Sequence, residues 1–490
     1  MDTRTSGDRK TEIADSDIKG LTADSRQVAQ GFLFAALPGT DLDGRAFIDQ
    51  AIERGAVAVL APTDTELDAR AHPGVALITD ADPRARLAQM AARFYGQQPK
   101  WVTAVTGTNG KSSVADMARQ IWQILGYKAA SIGTLGLRTT EGRVAPPGLT
   151  TLDPVALHEQ LAGLAQDGIT HVALEASSHG LDQARLDAVE IRAAAFTMLG
   201  RDHMDYHRSA EKYFAAKTHL FDAILPTGGA AVLNADIIEF KELARIARAR
   251  GQRIVSYGRS GTDLKLVRTE PLADGQDIEI EIDGNTHEFR LPLIGAFQAH
   301  NLLAALGLVL ANGTDREGSL SALNRVVGVP GRMEQVARTP NGAGIFVDYA
   351  HTHDALAAAL TAIRPHATGA VHVVFGAGGD RDPGKRTLMG HAAHSLADHV
   401  TVTDDNPRSE DPAVIREQIL TSCPNADEIG DRAAAIAAAI VRLAPGDVLV
   451  IAGKGHETGQ IVGDKIIPFD DGEVVREIVR GPDQESGAAS

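Results

Sequence analysis

Only one cysteine, Cys423, stands among the 490 residues. An internal disulfide framework is therefore excluded, and the chain suits a reducing compartment such as the cytoplasm. No uninterrupted apolar run is long enough to span a bilayer, so no membrane insertion is expected. The opening MDTRTSGDRKTEIADSD lacks the apolar core of a signal peptide. Positive charge is in deficit: 48 Lys and Arg against 64 Asp and Glu leave a net charge of −16. That balance argues against a nucleic-acid partner, while a local basic pocket for a small anion stays open. Aromatic residues are few, no repeat of solenoid period is present, and the closing GPDQESGAAS reads as a solvated tail.

What is present is an alternation of apolar strands, glycine turns and helices in a chain too long for one core. Residues 1–98 read as a small α/β module, with strands at 31–37, 56–60 and 75–78, helices at 46–54 and 84–94, and a linker at 97–100. Residues 99–328 carry buried strands at 102–106, 171–175, 193–199, 230–233 and 253–257. Strands of period two follow at 263–270, 277–282 and 287–293, and a helix at 297–310 closes the segment. Residues 329–490 alternate again, with strands at 345–349, 371–376, 399–403 and 447–452 and helices at 354–363, 386–397, 413–420 and 433–443. The fold class is α/β: open parallel sheets, with ligands expected at the carboxyl ends of the strands.

The most informative stretch is VTAVTGTNGKSS at 102–113. A strand breaks into Gly107, Thr108, Asn109, Gly110, Lys111, Ser112 and Ser113, and a helical pattern follows. Glycines let backbone N–H groups approach a phosphate, Lys111 reaches the β- and γ-phosphates, and the Ser112 hydroxyl faces Mg²⁺. Val105 stands where the full P-loop pattern has glycine, so this is a short G-x-x-G-K-S variant; its bland reading is an ordinary βα turn. Four further clusters fall at strand ends. Glu175 opens EASSHG, and is placed either as a magnesium ligand or as part of a helix cap. The run RDHMDYH at 201–207, with Lys217 downstream, reads equally as a metal- or proton-handling site and as a solvated loop. DYAHTHD at 348–354 contacts a nucleotide or caps a helix. GAGGDRDPGKR at 376–386, DDNPR at 404–408 and GKGHE at 453–457 share one sheet edge, where arginines would read a carboxylate of a zwitterion or polyanion. Asp24-Ser25-Arg26 reads by itself as a turn.

In this order these motifs resemble the Mur ligases, from Asp24-Ser25-Arg26 to Glu457. The resemblance implies three domains: an N-terminal UDP-binding α/β module, a central P-loop ATPase with a parallel sheet and a small antiparallel sheet, and a C-terminal Rossmann-like domain. It implies use of ATP to phosphorylate a carboxylate, which is a poor electrophile until a leaving group is attached; an amine then attacks the acyl phosphate. By resemblance, Lys111, Glu175, His203 and Lys217 are the catalytic set, and Ser112, Glu175, His203 and Lys217 hold Mg²⁺, with Lys217 as a CO₂-derived carbamate. Residues 107–113 with Asn301, Arg332, Asp348 and His351 bind ATP. Ala23, Ser25, Thr40, Asp41 and Leu42 contact the UDP end of a UDP-muramoyl-dipeptide, and Thr150, Thr151, Ser177, Gln183 and Arg185 contact its dipeptide. Arg381, Asp405, Asn406, Pro407, Arg408, Gly453 and Glu457 bind the incoming amino acid. The DNPR form goes with meso-diaminopimelate within the family: Arg408 can pair with a distal carboxylate that lysine lacks, and it would repel the lysine ammonium. A monomer in the cytoplasm is expected. The chain departs from common family patterns at Ser112-Ser113, Leu149 and His353. The competing readings are a lysine-adding or folylpolyglutamate-type ligase, a P-loop switch or transporter-associated ATPase, and a non-catalytic nucleotide-binding protein. DNPR and the N-terminal module argue against the first pair; the third-segment pocket argues against a switch; Lys111, Glu175 and Lys217 argue against a non-catalytic protein.

Overall fold

The computed structural model describes residues 18–39, 42–139, 141–142, 149–200, 202 and 204–481. Thr40, Asp41 and His203 lie outside the described residues. The first sheet places strands Gly20–Thr22, Phe32–Ala35, Ala56–Pro62 and Ala76–Asp80 side by side, all parallel. Helix Pro83–Tyr95 covers one face with Leu87 and Ala91. Its start follows from Asp82, which accepts the Ala85 N–H, and from Pro83, whose missing N–H costs nothing in a first turn. Val155, from helix Pro154–Gln166 of the next unit, joins this small core.

The second sheet has ten strands. Strand Trp101–Thr106 lies between Ile191–Phe196 and His171–Glu175, parallel to both, and Ala129–Gly133 lies beyond the latter. The chain thus leaves a central strand and returns on either side, so a crevice opens at the strands' carboxyl ends. On the other flank come Ala230–Asn234 and Arg253–Gly258. Strands Leu264–Leu272, Gly275–Ile282 and Asn285–Leu291 are antiparallel, as their alternation predicts. A short parallel pairing of Tyr257 and Gly258 with Leu264 and Lys265 joins them to the larger sheet. Helices Lys111–Ile124 and Ala296–Ala311 cover one face of the sheet, with Met117, Ile121, Leu302 and Leu306 fully buried.

The third sheet has the order Glu334–Arg338, Gly344–Asp348, Val448–Ala452, Val371–Phe375, His399–Val402 and Asp427–Glu428; only the first strand is antiparallel to its neighbour. Beneath it Arg432 and Asp471, both with side chains fully buried, form a two-point ion pair of 2.7 and 2.8 Å. The Arg432 guanidinium also donates to the Ala452 carbonyl at 3.0 Å, which satisfies more of its hydrogens where water cannot. The second and third units meet at His366, whose Nε2 accepts the Gly295 N–H at 3.0 Å. Its Nδ1–H therefore donates to the Leu272 carbonyl at 2.8 Å.

Several elements have no counterpart in the sequence reading. Hairpin Gly459–Val462 and Lys465–Pro468 is exposed along most of its length, so it carries no alternation to read. Strand Ala129–Gly133 (AASIG) is completely buried but built from small residues, which weakens its apolar signal. Helix Asp471–Arg480, capped by Asp470, lies in a stretch of mixed polarity.

Candidate functional site

The phosphate loop leaves the strand Trp101–Thr106 at Gly107, whose φ is +143°, a conformation that only glycine adopts comfortably. A Cβ there would stand 1.9 Å from Thr197 Oγ1. Gly110, at φ +88°, precedes helix Lys111–Ile124, and no side chain caps that helix. Its first-turn N–H groups and the positive end of its dipole therefore face the crevice, as a bound anion requires. A Cβ on Gly110 would meet Asn301 Oδ1 at 2.5 Å, which is how closely the helix Ala296–Ala311 approaches.

Two lysines converge on the loop. Lys111 Nζ donates to the carbonyls of Gly107 and Thr108 at 3.0 and 2.8 Å. Lys217, in the last turn of helix Ala210–His219, donates to the same Gly107 carbonyl at 2.8 Å and lies 4.5 Å from the Tyr213 ring centre. Burial pushes the Lys217 ammonium well below its ordinary value, and the Lys111 charge pushes it the same way against the pull of Asp202. Burial lowers Lys111 too, opposed by Glu175 and Asp202.

Glu175 ends its strand level with Val105, one residue short of the loop strand's end. Its carboxylate accepts the Thr134 N–H at 2.9 Å and the Thr134 hydroxyl at 3.1 Å. Gly133 must be small here, since its Cβ would stand 2.1 Å from Glu175 Oε1. Thr134 also pairs with the Thr150 hydroxyl at 3.1 Å. Thr151 Oγ1 donates to the Glu175 carbonyl at 2.9 Å and accepts the Ser177 N–H at 2.9 Å. Arg185 donates to the Thr151 carbonyl and to Gln183 Oε1, each at 2.7 Å.

The third unit closes the crevice. Arg332 reaches Ser112 Oγ at 3.4 Å and stacks 4.5 Å over the Tyr349 ring. Asp348 accepts the Met333 N–H at 2.7 Å, and burial pushes its carboxyl up to about 6 against the pull of Arg332. A cavity of about 540 Å³ results, into which residues 108–113, Thr150, Glu175, Ser177, Lys217, Asn301, Arg332, Asp348 and His351 all face. Thr134, Thr197 and Tyr213, which the sequence reading gives no site role, belong with them: Thr134 orients Glu175, Thr197 packs on Gly107, and Tyr213 bonds the Thr108 hydroxyl. Thr134 and Thr197 each stand just past a strand end, the signal that singled out Glu175.

Thr151, Gln183 and Arg185 stand behind Glu175 rather than in the cavity lining, and the remaining expected residues that the structure describes form two further groups outside it. Ser25 Oγ donates to Gln50 Oε1 at 2.8 Å in the first unit, beside Ala23, while Leu42 is 68% exposed and available for contact. In the third unit Asp405, Asn406, Pro407 and Arg408 join Gly453 and Glu457. Asn406 Nδ2 donates to Glu457 Oε2 at 2.9 Å. Gly453, at φ +118°, leaves room for Asp405, whose Oδ2 would be 2.5 Å from a Cβ there. Arg408 is held at φ +53° and donates from Nη1 to the Gly379 carbonyl at 2.8 Å. Arg381 is exposed on the neighbouring turn. Tyr349 spans the two places, since its ring lines the cavity and lies 5.1 Å from that of His456.

Among the described residues no three His, Cys, Asp or Glu side chains gather as a metal cage. The chemistry of Glu175 and Ser112 beside a phosphate loop suits a hard cation that takes its remaining oxygens from phosphates and water, as Mg²⁺ does. The donor set is thus compatible with a magnesium nucleotide.

A phosphate loop on one sheet, closed over by a second doubly wound unit, makes a cavity suited to the phosphates of a nucleotide. Residues 17–95 match the Mur ligase family catalytic domain, 105–309 the Mur ligase middle domain, and 331–455 the Mur ligase glutamate ligase domain. The chain belongs to the Mur ligase family. It is 51% identical over 474 residues to UDP-N-acetylmuramoyl-L-alanyl-D-glutamate–2,6-diaminopimelate ligase of Caulobacter vibrioides, covering 96% of this chain and 97% of the relative. A solved structure of a ligase of the same name superposes with a TM-score of 0.71 at 32% identity, covering 94% of this chain and 95% of that one. Folylpolyglutamate synthase of Mycobacterium tuberculosis, complexed with ADP, shares the fold at 18% identity and a TM-score of 0.63, covering 76% of this chain and 92% of that one.

Proposed function

We propose that the protein joins meso-2,6-diaminopimelate to the D-glutamate of UDP-N-acetylmuramoyl-L-alanyl-D-glutamate, converting ATP to ADP and phosphate, as a step of peptidoglycan precursor synthesis in the cytoplasm. The observation that carries this reading is the loop cluster beside the nucleotide cavity, where Arg408, Asn406 and Glu457 gather at one sheet edge. It is supported by the diaminopimelate ligase that matches nearly end to end at 51% identity. Three functional units, 1–98 for UDP, 99–328 for ATP and 329–490 for the amino acid, accord with the separate four-, ten- and six-stranded sheets.

In this reading residues 107–113, Asn301, Arg332, Asp348 and His351 bind ATP. Loop N–H groups and Lys111 hold the transferring phosphate, and Ser112 and Glu175 hold Mg²⁺, which neutralises phosphate charge. Ala23, Ser25, Thr40, Asp41 and Leu42 hold the UDP end, and Thr150, Thr151, Ser177, Gln183 and Arg185 bring the dipeptide carboxylate to the γ-phosphate. The carboxylate attacks phosphorus and ADP leaves; the amine then attacks the acyl phosphate and phosphate leaves. Holding both partners in line supplies much of the rate. Lys217 is a carbamate in this account. Its depressed pKa and burial supply the neutral amine that CO₂ needs, the product being an anion next to Lys111. His203 is assigned to the metal by resemblance alone.

Arg408 selects the amino acid. Its Nη1 is anchored on Gly379, which fixes the guanidinium plane for a carboxylate at its other edge. Phosphate release from ATP with the UDP-dipeptide is expected with meso-diaminopimelate and to be far slower with L-lysine. Equal turnover of the two would favour a broader or lysine-adding ligase. Arg408→Ala is expected to lower kcat/KM for meso-diaminopimelate roughly ten- to a hundredfold, the worth of a charged hydrogen-bonded pair, with ATP binding unchanged by calorimetry.

A further inference from the structure

Lys454 is the fully buried lysine of the GKGHE turn, with no side-chain exposure. An ammonium has three hydrogens to donate and no acceptor. All three find partners: Asn406 Oδ1 at 3.2 Å on the remote DNPR loop, and Glu457 Oε2 at 3.2 Å and the Gly459 carbonyl at 2.5 Å on the chain just beyond the lysine. The network closes on itself. Asn406 Oδ1 also accepts the Ile461 N–H at 2.9 Å, and Asn406 Nδ2 donates to the same Glu457 oxygen. Glu457 Oε2 is thereby engaged by two donors. Two donors on one oxygen restrict the carboxylate's orientation.

The hairpin that begins at Gly459 grips the same loop from outside. Arg408 N–H donates to the Ile461 carbonyl at 3.0 Å, and Gly463 N–H donates to the Arg408 carbonyl at 2.7 Å. Gln460 Nε2 donates to the Asp405 carbonyl at 2.7 Å. These bonds hold Arg408 at its left-handed φ of +53°, which a non-glycine residue keeps only under constraint.

We propose that Lys454, together with the hairpin Gly459–Pro468 that it secures, is a positioning clamp that sets Asn406, Arg408 and Glu457 for the incoming amino acid. The residue touches no reacting atom in this account. It works by tying the DNPR loop to its own turn and to the start of the hairpin, so that a carboxylate and an amine of the substrate meet groups already oriented. The proposal rests on the reading of this cluster as the amino-acid pocket.

The test compares Lys454→Met and Gln460→Ala with the parent full-length enzyme. Lys454→Met keeps an unbranched side chain one atom shorter and removes the three donors. Gln460 lies on the partly exposed hairpin, so Gln460→Ala loosens the loop without opening a buried space. Each substitution is expected to raise KM for meso-diaminopimelate, at least tenfold for Lys454→Met and about threefold for Gln460→Ala. KM for ATP and for the UDP-dipeptide is expected to change less than twofold, and the preference over L-lysine to shrink. In a double variant, Lys454→Met with Asn406→Ala is expected to be no worse than the more damaging single change, as for residues acting through one another. Unchanged amino-acid KM in the variants, or an equal rise in all three KM values, overturns the clamp. If Lys454→Met does not fold, the Gln460→Ala result decides by the same criteria. Arg408→Ala separates the two failures: an unchanged amino-acid KM there overturns the pocket reading itself, whereas a raised KM there with none in the clamp variants overturns the clamp alone.

Discussion

Lys217→Ala is expected to cut phosphate release roughly a hundred- to a thousandfold, the scale of losing one preorganised charged group at a reacting phosphate. The side chain is buried, donates to the carbonyl that Lys111 also uses, and has its ammonium destabilised by burial and by that neighbouring charge. A lysine needed only as a cation would be poorly placed under these conditions. A lysine converted to a carbamate would not, because amine plus CO₂ gives an anion and a released proton, and the anion gains Lys111 as a partner. Lys217→Arg should be nearly as damaging, since a guanidinium keeps the charge and cannot take up CO₂. Short carboxylic acids added to Lys217→Ala should restore part of the rate by supplying the missing oxygens. Normal activity in Lys217→Ala with no added acid would remove the carbamate from the account.

Gly107→Ala is expected to weaken ATP binding at least about thirtyfold. Two costs coincide at this position. The backbone is at φ +143°, where an L side chain is strained, and the new Cβ would stand 1.9 Å from Thr197 Oγ1. Together they amount to roughly 2–6 kcal/mol, and the lower figure already corresponds to about thirtyfold in an equilibrium constant. Calorimetric titration with a non-hydrolysable ATP analogue measures it. Gly163→Ala is the control: it lies within helix Pro154–Gln166 with no atom within 4 Å of its would-be Cβ, and should leave affinity unchanged. A similar, small effect at both positions would mean that the loop relaxes more freely than its packing allows.

The phosphate loop was legible because its signal is local: a β-branched strand, two glycines and a helix start lie within 12 residues. Glu175 was legible because a carboxylate ending an apolar strand is conspicuous, and the structure puts it level with Val105 on the adjacent strand. The partners that orient it were not. Thr134 is a threonine after a strand of small residues, and nothing local reveals that its N–H and hydroxyl both face one carboxylate 41 positions away. Lys217 was assigned by resemblance, and its approach to Gly107 spans 110 positions. Lys454 is legible as part of the GKGHE turn but not in its own role, because only the fold brings Asn406 and Gly459 to its head. The hairpin was invisible because it contributes little to any core, so selection for burial leaves no pattern in it.

The cavity is walled on one side by the phosphate loop and on the other by Arg332, Asp348 and Tyr349. Any ligand that fills it is therefore a joint between the two units, added to direct contacts such as that of His366 with Gly295. By mass action, a nucleotide at a hundred times its dissociation constant adds about 2.7 kcal/mol to whatever holds those units together. On the proposed function, ATP bound there would be a structural cross-link as well as a reagent, and ADP release would also loosen the joint between the two units.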